Sequence, residues 1–587
     1  MKKFMNNGYF SNELFLGVVN KVNTYSCYIK VPKPNLLQSF YINGNDYCGG
    51  IVGRYVIVYS ENLGFLGIIQ EISIPKESKY SIDDAESQDD YETFKTDCRI
   101  QLLLSFDYHE IENNAICYHS GIKEFPIVSS KVYICHNDLL NKILCGINSK
   151  NDKTSIKLGE VVGNKIPFSI SIKDLFERHC AIVGTTGGGK SSTIGKIIQE
   201  IHGYNQLSDK KMNVILFDAT GEFENIKGNG IKKYTFGNST SVKSDDVSSV
   251  YFSYKNLTTS DWFSLFQPSA NVQATKLREA IKSLKLQKSL TSTTSLKKSG
   301  SSITAFNTNI GKHSASVFDE EKSDFDITLL SEQITNECIY SNDKYDTDKF
   351  GGFNSQDEGY CSPLINKINY KIKNHSYNQI FNFTNISSDC INFVDIFSNN
   401  DNTNIFIISL KDVIFDDNIR QVLMNCIGRM FLTRARSGCY NFIKDKDNKP
   451  TLLILDEAHQ FLNYKISGDY APDIPLNSFD NIAKECRKHG LYLCLSTQMP
   501  RDIPSGTLSQ VGTFIVHRLI NDDDKNKIKD ACQESTREIM SYLPILGKGE
   551  CIVISNNIPM PLHLQVKKPS DDFQPKSTSP LETYLED

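Results

Sequence analysis

A four-residue apolar run, Cys180 to Val183, opens straight into GTTGGGKSS, Gly184 to Ser192. Behind this loop Ile194, Ile197, Ile198 and Ile201 recur at helical spacing. A buried strand, a glycine loop of the form GxxxxGK[ST] and an amphipathic helix, in that order, restrict the chain to an α/β nucleotide-binding architecture. The glycines free backbone N–H groups to wrap a phosphate, and the helix start adds partial positive charge. Gly184, Thr185, Thr186, Gly187, Gly188, Gly189, Lys190, Ser191 and Ser192 are therefore the candidate set for binding ATP. Lys190 is placed to reach the β- and γ-phosphates, and the Ser191 hydroxyl to ligate Mg²⁺.

Further short runs, VILF, NIFIISL, LLIL and LYLCLS, are apolar throughout, as strands buried on both faces of a parallel sheet must be. LLIL ends in Asp456 and Glu457. A carboxylate at the end of an apolar strand suits a metal's water shell, and a second one beside it can orient or deprotonate a water. Asp456 is thus the second metal candidate and Glu457 the catalytic one. His459 reads equally as helix-start packing or as a polar relay. LYLCLS leads into Thr497 and Gln498, where a polar side chain at a strand's C-terminal end faces the crevice in which ligands bind. Gln498 is a candidate sensor of the γ-phosphate. Before that strand Phe479, Ile482, Ala483 and Cys486 form one apolar stripe, with Gly490 as its stop. Lys484, Arg487 and Lys488 lie off it; they are either a solvated cationic face or the source of an arginine finger for a neighbouring subunit.

The rest of the 587 residues is organised around this core. Residues 1–160 carry short β-type runs between turns (LGVVNKV, SCYIKV, RYVIVYS, FLGIIQEI, CRIQLLL, KVYIC), which fits a small β-barrel. The acidic segment KESKYSIDDAESQDDYE reads as an exposed loop within it. Residues 161–257 and 396–562 hold the two parts of the ATPase core. Between them, 258–395 reads as a helical insertion containing a flexible Ser/Lys-rich stretch, TSTTSLKKSGSS. Its lysines (Lys276, Lys282, Lys285, Lys288, Lys297, Lys298) fit a solvated helix face better than a phosphate-binding one. Residues 563–587 read as a C-terminal arm. A net charge of −5 gives no global basic field, so nucleic acid would have to meet a local patch or a lined pore. No run approaches the ~18 apolar residues of a membrane span, and no signal peptide is visible. Sixteen cysteines, never spaced CxxC, read as reduced core thiols. A cytoplasmic protein without a membrane partner is expected.

The set RHCAIVGTTGGGKSS, FDATGEF, LLILDEAHQFL, KECRKHGLYLCLSTQMPRDIP, LSQVGTFIVHRL and GKGECIVIS, in this order, resembles the HerA branch of the HerA/FtsK superfamily of RecA-like translocases. The resemblance implies an N-terminal β-barrel (HAS) domain, a helical insertion and a C-terminal strap. It also implies a homo-hexamer with ATP between subunits and double-stranded DNA fed through the ring, usually beside a nuclease or other effector. Under it Arg487 becomes the trans finger, and Arg178 matches an arginine position next to a neighbour's nucleotide. Asp218 and Glu222 match acidic positions after the second strand. NYKISGDYAPDIPLN departs from the family's short linker between the acid pair and the finger helix. Because no nuclease constellation is present, the effector would be a separate chain, bound through the N-terminal domain, and defence against phage is one setting. The alternative is an ATP-gated ring scaffold that activates an effector without processive translocation.

Overall fold

The computed structural model describes residues 9–576 except 25, 33–36, 43–44, 61–62, 75–95, 113–114, 120–121, 123, 148–153, 238–245, 385–389, 398–401, 415–417, 444, 463, 469–470, 533–538 and 559. The acidic loop KESKYSIDDAESQDDYE and residues 577–587 of the arm lie outside the described residues. The chain divides into two compact units, Met1–Tyr204 with Val511–Ser570, and Asn205–Gln510 with Asp571–Asp587.

The first unit begins with strands β1 (Phe15–Val22), β2 (Ser26–Val31), β3 (Ser39–Ile42), β4 (Asn45–Cys48), β5 (Tyr55–Tyr59), β6 (Leu63–Ser73), β7 (Thr96–Glu112), β8 (Ala115–His119) and β9 (Lys131–Ile134). Their sheet runs β2-β1-β9-β5-β6-β7-β8, and β2 also pairs with β7. Six strands therefore close on themselves, with β8 outside the ring and β3–β4 a separate hairpin; this is the expected barrel. Closure leaves the six ring strands no free edge. Alternate side chains such as Leu16, Ile29, Val58, Phe65 and Ile100 point inward and fill its core.

The same unit carries β10 (Ser155–Val161), β11 (Pro167–Ser171), β12 (Cys180–Val183), β22 (Thr513–Val516), β23 (Glu550–Ser555) and β24 (Leu562–Val566), in the order β11-β10-β24-β23-β22-β12. Only β12 and β22 run parallel, Cys180 opposite Thr513 and Val183 opposite Val516. Two strands sit differently from the sequence division. β10 begins inside the 1–160 segment yet pairs with β24, and β24, inside the 563–587 arm save its first residue, is an integral sheet strand. Both alternate buried and exposed residues, so their sequences alone match a barrel strand or an arm equally well.

The second unit holds β13 (Asn213–Asp218), β14 (Ile231–Phe236), β15 (Val247–Tyr251), β16 (Ile391–Asn392), β17 (Ile405–Ser409), β18 (Thr451–Leu455) and β21 (Leu491–Thr497), with a hairpin, β19 (Tyr464–Gly468) and β20 (Ala471–Leu476), between the last two. The order β21-β18-β13-β17-β14-β15-β16 is parallel throughout. β17 and β18 are buried at every residue, as the unbroken apolar runs require. Within the departing segment NYKISGDYAPDIPLN, Tyr464–Gly468 and Ala471–Leu476 pair antiparallel.

The insertion is helical, its longest helices Val272–Ser289 and Ser355–Lys373. Several residues of its Ser/Lys-rich stretch have defined partners elsewhere in the insertion. Leu296 N–H donates to Gln333 Oε1 at 2.6 Å, and Ser295 Oγ donates to Glu332 at 2.5 Å. Lys298 is buried, its Nζ 2.5 Å from the equally buried Glu337 carboxylate. Lys285 is buried too and donates to Asp319 O. A composition of Ser and Lys says nothing of partners 37 or 39 positions away in sequence. In the arm, Phe573 is buried, Lys227 N–H donates to Asp572 O and Lys576 N–H to Glu222 O, so this stretch straps onto the loop after β13.

Candidate nucleotide site

The register of β12 on β22 puts Gly184 and His517, each one residue past its strand, side by side. Gly187 and Gly189 take φ of 74° and 120°, open to glycine at no steric cost, and turn the loop back onto the helix Lys190–Leu207. The Lys190 side chain is buried, its ammonium donating to Gly184 O at 2.9 Å and Thr185 O at 3.3 Å. The ammonium is thus held over the loop's own carbonyls. Thr186 and Gly187 are exposed at the loop's tip, and Ser191 and Ser192 half-buried at the helix start. Arg178 is exposed just before β12, its carbonyl accepting from Gly512 N–H at 2.6 Å.

In the second unit, register gathers the acids in the same way. Phe217 faces Leu455 and Leu455 faces Leu495, so Asp218, Asp456 and Ser496 follow as one row at the C-terminal ends of β13, β18 and β21. Ser496 Oγ donates to Asp456 Oδ1 at 3.2 Å. Asp218 accepts N–H bonds from Thr220, Gly221 and Phe223, which closes the FDATGEF turn. Burial pushes Asp456 up to about 8, with the neighbouring charges of Asp218, Glu457 and Glu222 adding to the effect. Burial likewise pushes Asp218 up to about 6 against those three N–H bonds.

Glu457 is buried and stands in the left-handed region at φ 48°, ψ 47°. A non-glycine residue there stores about 1–3 kcal/mol of strain, a mark of functional positions. Gln498 Nε2 donates to its Oε1 at 2.5 Å, while Oε2 has no hydrogen-bond partner and lies 3.4 Å from His459 Nδ1. His459 Nδ1 also meets Thr497 Oγ1 at 3.2 Å, so both of these contacts fall on one ring nitrogen and favour neither of its two readings. Asp456, Glu457 and Gln498 are thus brought together in one unit, and Gly184, Lys190 and Ser191 in the other.

The stripe Phe479, Ile482, Ala483 and Cys486 is buried. It belongs to the helix Ser478–Glu485 and a 3₁₀ turn, Cys486–His489, that ends at Gly490 with φ of 80°. Lys484, Arg487 and Lys488 are exposed on the other side. Two polar residues that touch the phosphate loop, His517 and Thr193, were not among the sequence candidates. The signal available was a histidine immediately after an apolar strand, in FIVHRL.

Among the described residues no three His, Cys, Asp or Glu side chains form a metal-holding group. Asp456 by itself suits a magnesium ion bound to phosphates, which needs only one or two protein oxygens. Asp456 ionises reluctantly among three other acids, and a cation beside it would relieve that cost.

The family described as "Helicase HerA, central domain" matches residues 156–411. The probable helicase MJECL08 of Methanocaldococcus jannaschii is 25% identical over 76% of this chain and 75% of its own. The DNA double-strand break repair helicase HerA of Sulfurisphaera tokodaii is 24% identical over 76% and 74%, and that of Pyrococcus furiosus 21% over 80% and 76%. Among solved structures, VirB4 of Thermoanaerobacter pseudethanolicus aligns with a TM-score of 0.43 at 11% identity, covering 72% of this chain and 99% of that one. The bacterial conjugative coupling protein TrwBdeltaN70 aligns at 0.41 and 13%, covering 75% and 95%. The glycine loop and its flanking strands thus lie within a stretch, residues 156–411, that matches the HerA central domain, and about three quarters of the chain is similar to helicases of the HerA type.

Proposed function

We propose that this protein is an ATP-driven translocase of double-stranded DNA that works as a homo-hexamer beside a separate nuclease or other effector. The observation that carries the reading is the state of Glu457, a buried carboxylate on strained backbone with one oxygen held by Gln498 and the other without a hydrogen bond, 3.4 Å from His459 Nδ1. Such a group is prepared to accept a proton from a water aimed at a phosphate. Lys190 and the loop N–H groups hold the phosphates. Ser191 and Asp456 are the residues that would hold Mg²⁺, which supplies charge neutralisation on the phosphate oxygens. Gln498, bonded to Glu457, is positioned to report the γ-phosphate to it. Exposed Arg178 and Arg487 serve the neighbouring subunit's nucleotide, and that head-to-tail use closes into a ring. Relatives named for DNA double-strand break repair support DNA as the substrate. The effector docks on the N-terminal barrel, and defence against phage is the setting we favour.

The test is the steady-state ATPase rate with and without linear duplex DNA, at low and moderate salt. Glu457→Gln should lower turnover by about 10²–10⁴-fold, the range of a general base, while nucleotide binding persists. DNA stimulation that fades as salt rises supports the translocase. A DNA-indifferent rate would replace it with the ATP-gated scaffold.

A further inference from the structure

We propose that His517 is a positioning residue for the phosphate loop, fixing through Thr193 and the Glu550 backbone the height at which Gly184–Ser192 meets a nucleotide's phosphates. The proposal rests on that loop being the nucleotide site.

His517 is fully buried at the end of β22. Its ring lies between two fixed partners, Glu550 O at 2.8 Å from Nδ1 and Thr193 Oγ1 at 2.9 Å from Nε2. A carbonyl can only accept, so Nδ1 carries the proton. Burial, and the nearby Lys190 charge, push the ring down to about 4, so it is neutral and Nε2 must accept. The Thr193 hydroxyl therefore donates to Nε2. Gly189 O, 3.1 Å from that hydroxyl, is already served by Thr193 N–H at 2.9 Å. One orientation of the ring and one rotamer of Thr193 satisfy every group, and Thr193 stands in the first turn of the helix that follows the loop.

The loop rests directly on this ring. A Cβ at Gly184 would come within 2.6 Å of His517 Cβ. One at Gly189 would meet Gly549 Cα at 3.0 Å and His517 Cε1 at 3.2 Å. Gly549 N–H in turn donates to Gly188 O at 3.0 Å. Both ends of the loop are thus referenced to β22 and the start of β23, elements more than 300 residues later in the chain. A histidine that merely filled space would use neither nitrogen and would be replaceable by an apolar side chain.

The experiment uses the full-length protein and a fluorescent ATP analogue, with KM and kcat for ATP measured alongside. Thr193→Val and His517→Leu should each weaken analogue binding by about tenfold, the value of one buried hydrogen bond. The double variant should be no weaker than the worse single one, and Thr193→Ser should bind as wild type. KM should rise with kcat at saturation little changed. Wild-type affinity in folded Thr193→Val, or losses that simply add in the double variant, would overturn the proposal. If His517→Leu does not fold, the Thr193→Val and Thr193→Ser pair decides. A folded wild type that binds no analogue would instead overturn the nucleotide reading itself, and this proposal with it.

Discussion

Asp456 carries a cost within the fold. Its carboxyl is pushed up to about 8 by burial and by three neighbouring acids, far above the ~4 it has in an unfolded chain. The folded state therefore binds the proton more tightly than the unfolded one, and stability from this group is lost as pH rises through that window. Asp456→Asn keeps the shape and removes the titration. The variant should melt at nearly the wild-type temperature at about pH 5 and roughly a few degrees above it at about pH 9, without nucleotide or metal. It should also lose ATP turnover. Equal melting temperatures at both pH values would mean the site does not strain the fold. Asp456 and Glu457 were readable because two acids ended an apolar run. The strain at Glu457 was not, since φ is set by how the segment after β18 leaves the sheet rather than by residue type. Nor was the pairing of Glu457 with Gln498, which depends on β18 and β21 being neighbours in register.

Elements show the same division. β12, β13, β17, β18 and β21 announced themselves because a strand buried on both faces has no polar position to blur its pattern. The insertion was legible as helical but not in its interior, where Lys298 and Glu337 pair across a separation of 39 positions in sequence. Glu337 also accepts from Ser283 and Gln333, and Lys298 lies 4.4 Å from the centre of the Phe306 ring. Removing one member of such a buried pair leaves an unpaired charge and costs about 3–5 kcal/mol. Lys298→Ala should therefore make the insertion cleavable by protease at temperatures where wild type resists. Lys298→Met with Glu337→Leu together should recover much of the loss. If Lys298→Ala is as resistant as wild type, the pair is dispensable. Arg429, bonded to the capping box of Thr258 and Asp261, ties the insertion's first helix to the helix Ile419–Arg436.

For the whole molecule the question is whether the arginines act across subunits. Arg487→Ala and Glu457→Gln should each be inactive alone. Mixed and allowed to co-assemble, they should regain a fraction of wild-type turnover, because an interface can take an intact acid from one protomer and an intact arginine from the next. No recovery in demonstrably mixed rings would place Arg487 at its own subunit's nucleotide. The expectation of such an assembly rests on the resemblance alone, since a net charge of −5 and an exposed cationic helix face describe many proteins equally well.

The unit that holds the phosphate loop is discontinuous, built from Met1–Tyr204 and Val511–Ser570. On the ribosome, GTTGGGKSS emerges more than 300 residues before His517 and Gly549, the groups it rests on. The barrel can close early, but β12 waits for β22 while the seven parallel strands of the other unit are made. A nascent chain of this protein should therefore bind nucleotide at full strength only once β22 and β23 have been synthesised. A chain truncated after residue 510 should accordingly carry the glycine loop without the groups it rests on, and bind a nucleotide analogue more weakly than the full-length protein.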